Sequence, residues 1–274
     1  GKSLFMCHVA SSVLLQGRSV LYITLEMAEE RIAERIDSNL LNINIKDITD
    51  LPKQMFETKV NNIAKKTQGT LIIKEYPTAS AHVGHFKALL NELALKKSFR
   101  PDIIFIDYLN ICASSRYKSN FSVNSYSYVK AIAEELRGLA MEYGIPIWTA
   151  SQSNKEGANA EVIDMTNMSE AYGKAMICDF IISVSRRSHE KATGWGRLYV
   201  AKNRAGRDGL VFPARINTAR SQFEIVGAAD SPESITVSDD EAQKRALRAK
   251  WQEMKKEFSL QKPGMSSTVE ANVI

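Results

Sequence analysis

The chain opens Gly1-Lys2-Ser3, three residue types that in this order can hold a phosphate. They match the last three positions of the phosphate-loop pattern G-x-x-x-x-G-K-[ST]. Backbone N–H groups at a helix N-terminus hold phosphate oxygens, Lys2 would reach the outer phosphates, and the Ser3 hydroxyl would bind Mg2+. A start inside a motif, without an initiator Met, is what a piece cut within that loop would show. The triplet alone also reads as an ordinary helix N-terminus.

Other chemistry-bearing residues follow short apolar runs. Leu25-Glu26-Met27 comes after Val20–Thr24, Asp107-Tyr108-Leu109 after Ile103–Ile106, and Ser151-Gln152 after Ile147–Ala150. Ligands of open α/β sheets sit at the carboxyl ends of strands, so these are the positions where chemistry is expected. A carboxylate after four apolar residues is the Walker B pattern, and Asp107 would hold Mg2+ through water beside Ser3. Glu26 would polarise an attacking water. Gln152 would hydrogen-bond a terminal phosphate and report its loss. Each has a plain alternative: an Asp that caps the next helix, a surface acid, a polar loop residue. Lys202 and Arg204 alternate along an extended segment, which points both to one face. They would supply the cation beyond the terminal phosphate, the arginine-finger position; a solvated turn is the alternative.

These residues need a scaffold that brings strand ends together, and the periodicity supplies one. Leu4–Leu15 is mostly apolar, as in a buried helix, with Gly17 placed to end it. Helical spacing runs over Glu29–Leu41, more weakly over Leu51–Lys66, over Val83–Lys97 and over Ser122–Tyr143. Val20–Thr24 and Ile147–Ala150 read as buried strands, Thr70–Lys74 as a strand and Asp102–Ile106 as a short apolar run ending at Asp107. The alternation predicts an α/β domain with a mainly parallel central sheet. After Asp179 the texture changes to strands with short turns, at Phe180–Ser185, Arg197–Ala201, Leu210–Asn217 and Gln222–Val226. They are expected to extend the sheet in antiparallel fashion. The domain is expected to span residues 1–227. A tail over 228–274 would follow, with a capping box at Ser238-Asp-Asp-Glu241, one amphipathic helix over about 239–258, and a disordered end.

Composition narrows the class. The 274 residues are 44% hydrophobic and 24% charged, which excludes collagen-like, coiled-coil and wholly disordered chains. The net charge of +5 permits a nucleic-acid partner without demanding one. No run approaches the ~20 apolar residues of a membrane span, so no membrane partner is expected. Three scattered cysteines, Cys7, Cys112 and Cys178, form neither a CxxC site nor a disulfide framework and point to a reducing, cytoplasmic compartment. His82 and His85 lie three residues apart, but without a third ligand nearby a surface helix face is the better reading than a metal site.

The segments Tyr22–Met27, Ile104–Leu109, Val129–Leu136, Thr149–Gln152 and Ala201–Gly206 together resemble the successive motifs of DnaB-family replicative helicases. Leu25–Glu30, Arg35–Asp37 and Asn124–Arg137 are most similar to members from T-even-like phages. The resemblance covers roughly residues 1–226 and implies a RecA-like P-loop NTPase fold. It implies a homo-hexameric ring that hydrolyses ATP or another NTP with Mg2+ and moves 5′→3′ on single-stranded DNA, with a primase and a helicase loader as partners. By resemblance Gly1, Lys2, Ser3 and Asp107 bind the nucleotide and Mg2+. Glu26 and Gln152 serve hydrolysis, and Lys202 and Arg204 reach the neighbouring subunit's nucleotide. The first five phosphate-loop positions, the strand before them and the family's amino-terminal domain are missing. Candidate DNA contacts are Arg116 and Lys118 in the segment Ser114–Asn124, with Lys155 and Glu170 further on. Where many relatives carry an Arg-Glu pair this chain has Ser169-Glu170, which weakens a transfer of the arginine's DNA contact. Two rivals remain: another RecA-like ATPase, either a recombinase or a clock-type kinase, and a non-catalytic DNA-binding subunit.

Overall fold

The computed structural model describes residues 1–48, 50–65, 69–117, 124–152 and 176–227. The expected helix near residues 239–258, Lys118, Lys155 and Glu170 lie outside the described residues.

The first half winds helices around a parallel sheet. Its elements are α1 (Lys2–Leu15), β1 (Val20–Thr24), α2 (Glu29–Leu41), α3 (Ile45–Ile48), α4 (Lys53–Ala64), β2 (Leu71–Glu75), α5 (Val83–Lys97), β3 (Ile103–Asp107), α6 (Ser125–Tyr143) and β4 (Ile147–Thr149). The sheet order is β2-β1-β3-β4, all parallel. Every residue of β1 and β3 is buried, because both sheet faces are covered. Alternate residues serve opposite faces. Leu21, Ile23, Ile104 and Ile106 pack with Phe86, Leu90, Ile132 and Leu136 of α5 and α6. Val20, Tyr22, Ile103 and Phe105 pack with Met6, Ala10, Ile32 and Ile36 of α1 and α2.

Local chemistry sets the helix limits. Gly17 follows α1 with φ 78° and its N–H bonds to Leu14, a left-handed stop that glycine adopts without strain. The Asn124 side chain caps α6 by accepting from the Tyr126 N–H at 3.0 Å. His82 caps α5, accepting from the Gly84 N–H, while His85 Nδ1 accepts from the His82 N–H. The two histidines therefore cap the start of α5, and no group of three metal-ligating side chains exists among the described residues.

The second half is an antiparallel sheet in the order β5-β6-β7-β8, made of β5 (Phe180–Ser185), β6 (Trp195–Asn203), β7 (Leu210–Asn217) and β8 (Gln222–Ile225). These strands pair among themselves as a second four-stranded sheet. Leu198, Ala214, Ile216 and Phe223 form its core, against which Leu4 and Phe5 of α1 pack. A short helix, Ser188–Thr193, precedes β6, and its Glu190 meets the buried Arg197 at 2.5 Å. Strand β6 is longer than the apolar run suggested, so Lys202 lies within it and Arg204 in the turn beyond.

Candidate functional site

Parallel registry collects the chemical residues at one edge. Thr24 pairs with Asp107 across β1 and β3, and Ile106 pairs with Thr149 across β3 and β4. Glu26, Asp107 and Gln152 therefore emerge at the same carboxyl-end edge. Asp107 is the last residue of β3 rather than the first beyond it, and it is fully buried. Its Oδ2 accepts a hydrogen bond from the Tyr22 hydroxyl at 3.1 Å. Its Oδ1 is buried and has no hydrogen-bond partner among the described residues. A buried carboxylate oxygen without a donor is costly, and a cation or its water shell would satisfy it.

The start of α1 lies at this edge. Gly1 occupies the N-cap position without a side-chain cap, and the Lys2 ammonium sits over the Tyr108 ring, 4.7 Å from its centroid. Ser3 is half-buried on the first turn. Tyr108, joined to Asp107 by a cis peptide, also receives a hydrogen bond from Gln152 Nε2 at 3.4 Å. Burial raises the Tyr108 pKa, and the negative charges of Glu26 and Asp107 raise it further. Glu26 is exposed in the turn after β1. Lys2 and Gln152 thus both contact Tyr108, the neighbour of Asp107 within the field of Glu26, a tyrosine that the sequence reading left without a role.

Beside this edge runs a cleft of about 730 Å3. Gly1, Lys2, Trp148 and Gln152 line it, together with Asp179 and Phe180–Val184 of the antiparallel sheet. Neither β4 on its outer edge nor β5 on its outer edge has a ladder partner among the described residues. Lys202 and Arg204 both reach back to the Met176 carbonyl, at 3.4 and 3.2 Å, although Arg204 stands in the turn and not on the extended strand that the alternation assumed. Arg204 also pairs with Asp179 at 2.6 Å, and Arg137 binds the same carboxylate at 3.0 Å. The Arg137 hydrogen bond first, then the charges of Arg137, Arg204 and Lys202, lower the Asp179 pKa. In this structure both cations are held within their own chain.

Arg116 is separate from this group. It pairs with Glu134 of α6 at 2.5 Å. The loop that carries it is tied to Glu135, which accepts from the Ser114 hydroxyl at 2.6 Å and from the Ser115 N–H at 2.9 Å. Burial pushes the Glu135 pKa up, but the bonds from Ser114, Ser115 and Arg116 outweigh it and the net shift is downward. Among the described residues of the expected basic loop, the base is thus anchored and Arg116 is exposed.

Sequence reasoning missed Tyr22, Tyr108 and the Arg137–Asp179–Arg204 cluster. Tyr108 sat next to Asp107 in plain view. The signal for Tyr22 was a hydroxyl in the middle of a fully buried strand.

Comparison with known proteins agrees with this geometry. Residues 1–224 match the DnaB-like helicase C terminal domain family. The DnaB-like replicative helicase of Enterobacteria phage T4 is 45% identical over 187 residues, which cover 67% of this chain and 39% of that protein. A probable plasmid replicative DNA helicase of Chlamydia psittaci is 27% identical over 236 residues, 82% of this chain and 49% of that protein. The chain therefore spans less than half the length of these curated relatives. Among solved structures, an ATPase domain superposes with a TM-score of 0.67 at 16% identity, covering 82% of this chain and 80% of that one. A DnaB-like replicative helicase, solved with attention to its interactions with primase, gives 0.66 at 17% identity over 82% of this chain and 54% of that one. At such identities the structures speak for the RecA-like fold.

Proposed function

This chain belongs to the DnaB-like helicase C-terminal domain family, and from that premise we propose that it is the NTP-hydrolysing motor of a replicative DNA helicase. The observation that carries the reading is Asp107: a buried carboxylate with one oxygen unpartnered among the described residues, next to a helix that opens Gly1-Lys2-Ser3. The donor set fits Mg2+, with the Ser3 hydroxyl and Asp107 as the residues that would hold it. When bound, that cation neutralises the charge of the outer phosphates.

The remaining roles fall to the chain's own residues. The backbone N–H groups of the first turn of α1 and the Lys2 ammonium take the phosphate oxygens. Lys2 is parked on Tyr108 in this structure, and it leaves that ring for a stronger, charge-assisted contact once a phosphate arrives. Glu26, exposed in the turn after β1, accepts the proton of the attacking water. Gln152 reports loss of the terminal phosphate. Arg204 and Lys202, freed from Asp179 and Met176, act on the nucleotide of the next subunit in a hexameric ring. Single-stranded DNA passes through that ring, with Arg116 as one contact. A primase and a loader act on the tail beyond residue 227.

The test is DNA-stimulated NTP hydrolysis by the full-length gene product. Lys2→Ala should abolish it. Glu26→Gln should still bind nucleotide and hydrolyse it ~10²–10⁴ times more slowly. Near-normal turnover in Glu26→Gln removes that residue from the chemistry, and near-normal turnover in Lys2→Ala removes the phosphate-binding reading.

A further inference from the structure

We propose that Tyr22 is the positioning residue of Asp107: its hydroxyl fixes one carboxylate oxygen and so presents the other to the cation site at the start of α1. The proposal rests on the reading of Asp107 as the magnesium-side carboxylate.

Tyr22 stands in the middle of β1 and is 0% exposed. Its partner in register is Phe105, on which its ring stacks with centroids 5.7 Å apart. Asp107 is two residues further along β3 on the same face, the diagonal neighbour that a long side chain can reach. The Tyr22 hydroxyl donates to Asp107 Oδ2 at 3.1 Å. From α1, the Cys7 thiol approaches the same phenol oxygen at 3.9 Å as a weak donor. The phenol has a single proton, and it goes to the carboxylate whether or not the thiol is there.

A phenylalanine would fill this strand position with nearly the same volume and no polar atom to bury. Burying a hydroxyl is unfavourable unless it finds a partner. Here the partner is the one fully buried carboxylate of the site. Its two oxygens are treated differently: Oδ2 is satisfied from behind, while Oδ1 is buried and unpartnered among the described residues. That asymmetry is what a metal-side carboxylate needs. One oxygen is locked to a rigid ring in the sheet, so the carboxyl cannot turn, and the other is left open. Where such outer hydrogen bonds have been removed from ligating groups, metal affinity falls by about 10–100-fold.

The experiment measures Mn2+ affinity in the presence of a non-hydrolysable ATP analogue, by electron paramagnetic resonance of the free ion, on the full-length gene product. Tyr22→Phe keeps the ring and its stacking and removes only the hydroxyl; a melting curve without metal verifies its fold. It should weaken Mn2+ by about 10–100-fold and leave metal-free binding of the analogue unchanged. Tyr22→Phe added to Asp107→Asn should weaken Mn2+ no further than Asp107→Asn alone. Cys7→Ala, which removes a packing neighbour but spares the Tyr22–Asp107 bond, should keep wild-type affinity. Wild-type affinity in Tyr22→Phe, where Asp107→Asn loses the metal, overturns the proposal and leaves the reading of Asp107 intact. An equal loss in Cys7→Ala, or a Tyr22 effect that persists without the Asp107 carboxylate, also overturns it. If Asp107→Asn itself keeps Mn2+, the reading of Asp107 fails first.

Discussion

Asp37 turns the packing of α2 into a pH-dependent stability that can be measured. Its neighbours Ile36 and Ser38 are buried, and burial lifts the Asp37 pKa from an ordinary 3.8 to about 6. The folded protein therefore holds the Asp37 proton more tightly than the unfolded chain does. Stability from this group is fully present below pH 4 and is lost as pH rises through about 6. At ~1.4 kcal/mol per pH unit, the displacement is worth roughly 3 kcal/mol at neutral pH. Asp37→Asn removes the charge and keeps the shape. It should be more stable than the wild type by up to roughly 3 kcal/mol at pH 8, and equal to it near pH 4. His8 acts in the opposite sense, because burial lowers its pKa and its contribution is lost as pH falls. That term is common to both proteins and cancels in the difference. The assay is urea unfolding by tryptophan fluorescence at several pH values, with the difference in free energy plotted against pH. A difference that does not change with pH, or a variant less stable than the wild type at pH 8, refutes the reasoning.

Arg204→Ala hexamers should bind nucleotide and barely hydrolyse it, and Lys2→Ala subunits should be equally inactive. Mixing the two should restore activity, since mixed interfaces pair an intact Lys2 with a neighbour's intact Arg204. A mixture as inactive as its parents, with subunit exchange verified, refutes action in trans. Gly69→Ala places a Cβ at 2.6 Å from the Arg18 carbonyl and 2.8 Å from that of Leu14, so it should cost about 1–3 kcal/mol by urea unfolding. Truncation after Val226 should leave NTP hydrolysis intact and remove stimulation by a primase or loader; a truncated motor that unfolds shows the tail packing in cis instead.

The periodic elements were legible because their patterns are local. The limits of β1, α2, α5, β5 and β7 coincide with the apolar spacing. The short helix Ser188–Thr193 left no trace, since its six residues carry no apolar stripe. Strand β6 extends past its apolar run at both ends, because ladder pairing to β7 carries Trp195 and Gly196 and pairing to β5 carries Lys202 and Asn203. In the site, the residues that end strands could be read from the sequence, because strand ends are where ligands bind. Tyr22 and Tyr108 could not. Their roles depend on which residue of β3 stands beside β1 and on where α1 begins relative to β3, both of which are long-range facts. The ties of Arg204 and Arg137 to Asp179 were hidden for the same reason: the partners are 25 and 42 residues apart.

The central claim is a motor that converts NTP hydrolysis into strand separation. The most direct test is displacement of a labelled strand from a forked duplex by the full-length gene product, with the 5′ or the 3′ tail removed in turn. The account predicts displacement that requires NTP and Mg2+, proceeds when only the 5′ tail is present, stops when that tail is removed, and is abolished by Glu26→Gln. Hydrolysis that yields strand pairing or filaments on DNA without displacement, or displacement that survives Glu26→Gln, would contradict it.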